Sequence, residues 1–391
     1  MSDPADTSTA TGRIDFKFGE QVMPVIIARD IVPALAEHCA QRGFDRIFLI
    51  ADTTPWEIYG GPLQQALGNV APVTVELVEP VEKYKRLGTV ERLLEQAMIA
   101  HISRHSVVID FGGGLVGNVA GMVATLLYRG ISLITVPTTL LAMTDSILSL
   151  KQAVNCEQGK NLFGTYYMPE RAFLGTGYLQ TLGDDQFAAG LIEFVKNCLT
   201  FDADSTGTLL DLMRETDRLR MAGRLITLGM AAKQRLLRDD PKERGRAILL
   251  EYGHTVGHAL EHQGYGLTHG IAVGLGMVVA ATISWRRGWL GIDELHRHYE
   301  LIKMAGGVLE FPPQLDIPRT IRIIGYDNKH GYLDCEPGLH PFVLLRHIGE
   351  LATTDNLPLV RVSDDEIASA IEDVRRKCRG GGRSVKWEEE V

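Results

Sequence analysis

The stretch Glu251-Tyr-Gly-His-Thr-Val-Gly-His-Ala-Leu-Glu261, continuing to Leu267-Thr-His-Gly270, is the chemical centre of the chain. His254 and His258 stand four residues apart, so a helix presents both imidazoles on one face. His269 follows a short Gly-Tyr-Gly turn and opens another apolar helical run. Three histidines within sixteen residues can converge on one divalent ion, because neutral imidazole is a favoured ligand of zinc and cobalt. The zincin pattern is excluded, since Thr255 occupies the place of its glutamate. The plainer alternative is a helix whose histidines only pack and hydrogen-bond. A compatible acidic helix upstream tips the balance toward a metal.

A second stretch carries different chemistry. Gly112-Gly-Gly-Leu-Val-Gly-Asn118 follows a predicted strand and opens a predicted helix. In that setting glycines such as Gly114 and Gly117 let backbone amides and a helix N-terminus approach a diphosphate. The spacing departs from the Rossmann Gly-x-Gly-x-x-Gly, and a tight strand-to-helix turn is the alternative. Asp52 ends an earlier predicted strand, where acids of dinucleotide-binding folds hold a ribose hydroxyl. Thr138 and Thr139 offer hydroxyls at the same sheet edge, and ligands of such sheets gather at the carboxyl ends of strands. Together these features favour a nucleotide site.

Such residues need a frame. Apolar runs at 46–52, 73–79, 106–111 and 131–136 read as buried strands, and helical periodicity fills 90–102 and 118–128 between them. This alternation predicts an α/β fold class, with a Rossmann-like parallel-sheet domain over 13–183. From 184 to 378 strands nearly vanish. Helical periodicity runs through 186–199, 211–237, 255–262, 270–287 and 293–305, with one late strand at 342–345 and a closing helix at 364–378. A mainly α-helical metal- and substrate-binding domain is therefore expected after a boundary near Gly183. Residues 1–12 are expected to be a flexible N-terminus and 379–391 a loose C-terminal tail.

Composition narrows the function classes. At 391 residues the chain is too long for one ordinary core. Its 45% hydrophobic and 23% charged residues are those of a globular protein. No apolar run is long enough to span a bilayer and no signal-peptide core opens the chain, so no membrane partner is expected. A formal charge of −9 argues against a nucleic-acid partner while leaving room for a local anion pocket. Five scattered cysteines without paired spacing suit a reduced, cytoplasmic setting.

The motifs, taken in order, resemble the sugar-phosphate cyclase superfamily, whose best-known members are the dehydroquinate synthases. The matching segments are Glu82-Lys-Tyr-Lys-Arg-Leu87, Gly112–Asn118, Tyr128-Arg-Gly130, Pro137-Thr-Thr-Leu-Leu141, Asp145-Ser146, Lys151 and Gly159-Lys-Asn161. They continue with Glu193-Phe-Val-Lys196, Gly253–His258, His269-Gly270 and Asp327-Asn-Lys329. Within the superfamily, Asp145-Ser-Ile-Leu-Ser-Leu-Lys-Gln-Ala-Val-Asn155 is similar to the 2-deoxy-scyllo-inosose synthases. Two departures from dehydroquinate synthases agree with this. Asn118 replaces an aspartate, and Glu251 replaces an asparagine.

The resemblance implies a dehydroquinate synthase-like fold and an enzyme, a phosphate-eliminating carbon–oxygen lyase, that turns glucose 6-phosphate into 2-deoxy-scyllo-inosose for aminoglycoside biosynthesis. It implies NAD and one divalent metal ion, Co2+ or Zn2+, as cofactors. In the implied cycle C4 is oxidised, phosphate is eliminated from C6, C4 is reduced, and the opened sugar closes by an aldol step. The implied metal ligands are Glu193, His254 and His269, which moves His258 to a catalytic, phosphate-facing place beside Lys151 and Glu251. Cofactor contacts fall on Asp52, Glu82, Lys85, Gly114, Gly117, Asn118, Thr138, Thr139, Asp145 and Lys160. Substrate and phosphate contacts fall on Asn161, Lys196, Lys233 and Lys329, with Arg129 reaching across a homodimer interface. Taken singly, each lysine reads as a solvated surface charge, and Glu251 as an acid favourable to a helix start by about 0.3–1 kcal/mol. The rival readings are a 3-dehydroquinate synthase, a metal-dependent polyol dehydrogenase and a non-catalytic subunit.

Overall fold

The structure, a computed structural model, describes residues 12–379. The segments expected to be flexible at 1–12 and loose at 379–391 lie outside these residues, apart from Gly12 and Arg379. By compactness the chain forms two units. One holds residues 12–157, 161–190 and 211–247, and the other 158–160, 191–210 and 248–379.

The first unit opens with an antiparallel hairpin, β1 (Gly12–Phe18) and β2 (Gln21–Ala28). Strands and helices then alternate: α1 (Val32–Arg42), β3 (Ile47–Asp52), α2 (Thr53–Gly68), β4 (Val73–Val78) and α3 (Leu87–Ile99). There follow β5 (Val107–Gly112), α4 (Gly114–Leu126), β6 (Ser132–Pro137) and the short α5 (Leu140–Thr144). A small hairpin of β7 (Lys151–Val154) and β8 (Phe163–Tyr166) precedes β9 (Arg171–Gly175). The main sheet has the order β1-β2-β9-β6-β5-β3-β4, parallel except for β1.

All six residues of β3 and of β5 are buried, because helices cover both faces of the sheet. Ile47, Leu49 and Ala51 pack with Leu35, Leu63 and Leu67 of α1 and α2. Phe48 and Ile50 pack on the opposite face with Val90, Leu93, Val116 and Val119 of α3 and α4. The four expected strands are β3 to β6. Of the other strands of the sheet, β1 alternates, β9 has five residues, and the apolar run of β2 is interrupted by Pro24. β3 leads outward to β4, and the chain then crosses back to β5 on the other side of β3. Such a reversal opens a crevice at the carboxyl ends of β3 and β5, and here those ends are Asp52 and Gly112.

α6 (Asp184–Thr200) and α7 (Thr206–Leu212) each contribute residues to both units, and α8 (Arg218–Leu237) belongs to the first. The helix expected over 211–237 is broken before Arg218, where Asp217 caps α8 by accepting from the amides of Leu219 and Arg220. The Gln234 side chain accepts from Lys17 N at 3.0 Å and donates to Lys17 O at 3.1 Å, which ties α8 to β1. Compactness therefore does not divide the chain at a single point near Gly183. Periodicity shows that a helix has an apolar face but not which layer that face meets.

The second unit is built on α9 (His254–His262), α10 (His269–Arg286), α11 (Ile292–Met304), α12 (Ile317–Ile324) and α13 (Asp364–Arg379). Between α12 and α13 lie the short strands β10 (Leu339–Phe342), β11 (Leu345–His347), β12 (Glu350–Leu351) and β13 (Val360–Ser363). The strand expected at 342–345 is thus two strand ends with a break between them.

α10 is buried continuously from Ala272 to Ser284, as an apolar helix at the centre of a bundle must be. Glycines let α9 and its entry lie directly on it. A Cβ at Gly276 would stand 1.9 Å from Gly253 O, and one at Gly257 would stand 3.1 Å from Ala272 O. Replacing Gly276 by alanine should force the two helices apart. The expected cost is about 1–3 kcal/mol, read as a lowered midpoint in thermal unfolding, whereas Gly223→Ala, in open space inside α8, should raise that midpoint slightly, since alanine is the better helix former by about 0.5–1 kcal/mol.

Candidate active site

The close crossing of α9 and α10 places His254 and His269, the first residues of the two helices, beside Glu193 of α6. Glu193 Oε1 lies 3.7 Å from His254 Nε2 and 3.5 Å from His269 Nε2. Tetrahedral ligands about 2.1 Å from a zinc ion stand about 3.4 Å apart, so the set needs little movement to close on a metal. The fit is chemical as well as geometric. Glu193 Oε1 is buried and accepts no hydrogen bond, while Oε2 accepts from Lys196 Nζ. His254 Nδ1 donates to Tyr252 O at 3.2 Å, and His269 Nδ1 donates to Glu261 Oε2 at 3.1 Å. Both Nε2 atoms are thereby turned toward the carboxylate, the arrangement in which outer partners orient metal-binding imidazoles.

A second group, His258, Glu261 and His269, also has ligand atoms close enough for an ion. Its carboxylate is engaged on both sides, by His269 and by Lys160 Nζ at 2.7 Å. An ammonium there opposes a dication, so the group with Glu193 is the better metal set. The His258 ring stands 5.1 Å from that of His254 and 6.2 Å from that of His269. Among the described residues no ligand group holds all three histidines, so the three-histidine convergence suggested by spacing does not form.

Electrostatics follow from burial and these partners. Burial opposes the charge of Glu193, but Lys196, His254 and His269 hold its carboxyl well below the usual range. Burial, reinforced by Lys196, lowers His254 to about 4. Burial also keeps His258 neutral, with His254 adding to the effect. His269 goes the other way: burial disfavours its charge, yet Glu261 and Glu193 raise it to about 10.

Glu251 ends a 3-10 turn, Arg246–Glu251, instead of opening α9. Its Oε1 accepts from Asn328 Nδ2 at 3.3 Å, and its Oε2 lies 3.6 Å from Lys329 Nζ. Lys329 is buried and also meets Asp327 Oδ1 at 2.6 Å. The Asp327-Asn-Lys329 motif thus folds onto Glu251.

The first unit holds the other expected residues. Gly113 caps α4 without a side-chain bond, so the amides of its first turn are available to an anion. A Cβ at Gly112 would stand 2.8 Å from Asp52 Cβ, and one at Gly114 2.7 Å from Ser146 Oγ. Side chains at either position would fill the cradle that a diphosphate requires. A cavity there is lined by Gly112, Gly114, Gly117, Asn118, Ser146 and Lys151. Asp52 caps α2 through Thr54 N at 2.9 Å, and Thr139 caps α5 through Ala142 N at 3.1 Å, next to the buried Thr138. Asn118 accepts from Ala153 N at 2.8 Å and donates to Gly114 O at 2.8 Å, holding the β7–β8 hairpin to α4. Asn161 Oδ1 accepts from Lys85 Nζ at 2.6 Å, and Glu82 accepts from Asn155 Nδ2 at 2.7 Å.

Two ion pairs complete this unit. Lys233 binds Asp145, and Lys151 Nζ binds Glu243 Oε2 at 2.6 Å. Glu243 also accepts from Ser149 Oγ at 2.7 Å and has a left-handed φ of 53°. Sequence reasoning passed over Glu243, which sits in a polar stretch among ordinary charges. Only folding brings it to Lys151. Asp110 was also passed over, a carboxyl that burial raises to about 7 beneath the glycine turn. Arg129 stands exposed on a left-handed backbone pair with Tyr128, and Arg104 holds the Tyr128 carbonyl at 2.9 Å.

Residues 75–189 match the family described as 3-dehydroquinate synthase N-terminal, and residues 190–330 match its C-terminal counterpart. The chain belongs to the 3-dehydroquinate synthase family, the sugar-phosphate cyclases. The cyclase is 41% identical over 349 residues to a 2-deoxy-scyllo-inosose synthase of Streptomyces paromomycinus, covering 88% of this chain and 89% of that relative. A crystal structure of 2-deoxy-scyllo-inosose synthase complexed with carbaglucose-6-phosphate, NAD+ and Co2+ is 32% identical, with a TM-score of 0.85. That match covers 93% of this chain and all of the other, 100%. A 2-epi-5-epi-valiolone synthase of Streptomyces hygroscopicus, with NAD+ and Zn2+ bound, shares the fold at 22% identity and a TM-score of 0.76, over 92% of this chain and 99% of that one.

Metal binding by this cyclase should depend on pH through His269. With a folded pKa of about 10, its imidazole is protonated at neutral pH and must lose that proton to become a ligand. His254 is already neutral and Glu193 already ionised. Apparent Co2+ affinity should therefore rise about tenfold per pH unit between pH 6.5 and 8.5, with one proton released per ion. Competition titration against a chelator, with proton release followed in weak buffer, measures both.

Proposed function

We propose that the cyclase converts glucose 6-phosphate to 2-deoxy-scyllo-inosose and inorganic phosphate, in the pathway to 2-deoxystreptamine aminoglycosides. The observation that carries this choice is Glu251, a carboxylate held by Asn328 and Lys329 where dehydroquinate synthases carry asparagine. A carboxylate suits the uncharged hydroxyls of the glucose 6-phosphate ring better than a ring that bears its own carboxylate, and it can act as a base where an amide cannot. The likeness to the inosose synthase of Streptomyces paromomycinus supports the same choice.

We assign the NAD site to the first unit, at the glycine turn with Asp52, Glu82, Lys85, Asn118, Thr138, Thr139 and Asp145, with Lys160 as a further contact. Glu193, His254 and His269 hold the metal, Co2+ or Zn2+. When bound, NAD+ takes up and returns the C4 hydride, and the divalent ion lowers the cost of charge on the sugar oxygens. Glu243, beside Lys151, takes the C5 proton as the C6–oxygen bond breaks and phosphate departs. Lys151, Asn161, Lys196, Lys233, Lys329 and His258 stabilise the sugar phosphate, and Lys or Arg suits its dianion. Glu251 accepts from sugar hydroxyls and moves their protons. The homodimer, with Arg129 reaching into the neighbouring subunit, is supported by that residue's exposure on a held left-handed turn. We place the protein in the cytoplasm. Among the described residues no helix is long and apolar enough to cross a membrane.

Incubation with NAD+, Co2+ and glucose 6-phosphate should release phosphate and a carbocyclic ketone without net NADH. Turnover with only the seven-carbon shikimate precursor would replace the inosose reading with a dehydroquinate synthase, and accumulating NADH would replace it with a dehydrogenase. Glu243→Gln and Glu251→Gln should each lower turnover about 10²-fold or more while NAD+ affinity stays within about threefold. A variant with normal turnover removes that residue from the chemistry.

A further inference from the structure

We infer that Tyr252 and His298 form a buried clamp that sets the position of the metal ligand His254. The inference rests on the reading of Glu193, His254 and His269 as the metal set. His254 is oriented by one outer contact, the bond from its Nδ1 to the Tyr252 carbonyl. Whatever fixes that carbonyl fixes where Nε2 points. The Tyr252 side chain is fully buried, and its hydroxyl lies 2.9 Å from His298 Nε2. His298 Nδ1 is 2.8 Å from Glu294 O. A carbonyl can only accept, so Nδ1 carries the proton and Nε2 offers a lone pair. Tyr252 is then the donor to His298, with the Met277 carbonyl a longer, second acceptor at 3.4 Å. The chain of contacts ends on a firm support, because Glu294 accepts from Gly291 N and Ile348 N, each at 2.9 Å, at the start of α11.

The backbone beside Tyr252 makes this clamp necessary. Gly253 has a φ of +80°, and a Cβ there would meet Met277 Cγ at 2.5 Å and Val273 O at 2.8 Å. A turn built on glycine has no side chain of its own to hold it, so the neighbouring phenol supplies the anchor. His298 and Tyr252 are thus positioning residues that act through His254 and touch no substrate. Neither serves only to fill space, since both are polar, fully buried and matched donor to acceptor.

The test is Co2+ binding by the full-length, metal-stripped protein, followed by chelator competition and by the visible absorption of bound Co2+. Tyr252→Phe keeps the ring and removes only the hydroxyl. It should weaken Co2+ binding about tenfold, the lower end for loss of an outer partner, and change the Co2+ spectrum. His298→Leu cuts the same contact from the other side and should do likewise, with the double variant no worse than either single one. His298→Gln, whose amide oxygen can accept from Tyr252, should recover most of the affinity. A folded Tyr252→Phe or His298→Leu protein that binds Co2+ within twofold of the wild type, with an unchanged spectrum, overturns the clamp even if its melting point falls. Failure of the wild type itself to bind Co2+ overturns the metal reading, and the clamp with it.

Discussion

The approach of Gly276 to the Gly253 carbonyl is the contact on which the metal-ligand set depends. Any side chain at Gly276 would occupy the position of that carbonyl oxygen. Because the helices meet at backbone distance, the first residues of α9 and α10 converge and two imidazoles share one carboxylate. α10 can serve as the central rod because it is apolar over nearly its whole length. Its polar start at His269 is the part left to do chemistry. The strand-rich unit solves the corresponding problem at the crevice between β3 and β5, where glycines keep the helix start bare.

A second constraint concerns charge. Several cations expected to meet a phosphate are paired with carboxylates: Lys151 with Glu243, Lys233 with Asp145, Lys196 with Glu193 and Lys329 with Asp327. For the buried Lys196, Lys233 and Lys329 an unpaired ammonium is costly, and breaking such a pair from one side costs several kcal/mol. The pairs therefore hold these lysines in place. They also tie catalytic groups together, since Glu193 offers one oxygen to Lys196 and leaves the other toward the imidazoles. His269 shows the same economy of atoms, with Glu261 behind it and Glu193 in front.

Much of the sheet could be read in advance. The strands at β3 to β6 announce themselves as apolar runs because helices bury both of their faces. β1, β2 and β9 were not announced, since an edge hairpin is half exposed and β9 is only five residues long. The helical elements from α6 onward were legible by periodicity, but the membership of α8 in the strand-rich unit was not. That follows from contacts distant in sequence, among them Gln234 with the backbone of Lys17 and Lys233 with Asp145.

For the candidate site, the chain's order of residues determined the chemical inventory: which imidazoles, lysines and glycines exist, and in what motif order. It marked His254 and His269 as neighbours of a metal and Gly112 to Gly114 as a bare turn, because local spacing alone decides what a single helix or turn can present. Tertiary structure decided which atoms meet. It joined Glu193 to the two histidines, set His258 aside, paired Glu243 with Lys151, and turned Tyr252 and His298 into one hydrogen-bonded unit. These are contacts across tens of residues, fixed by helix packing and donor–acceptor matching, and no periodicity within one segment encodes them.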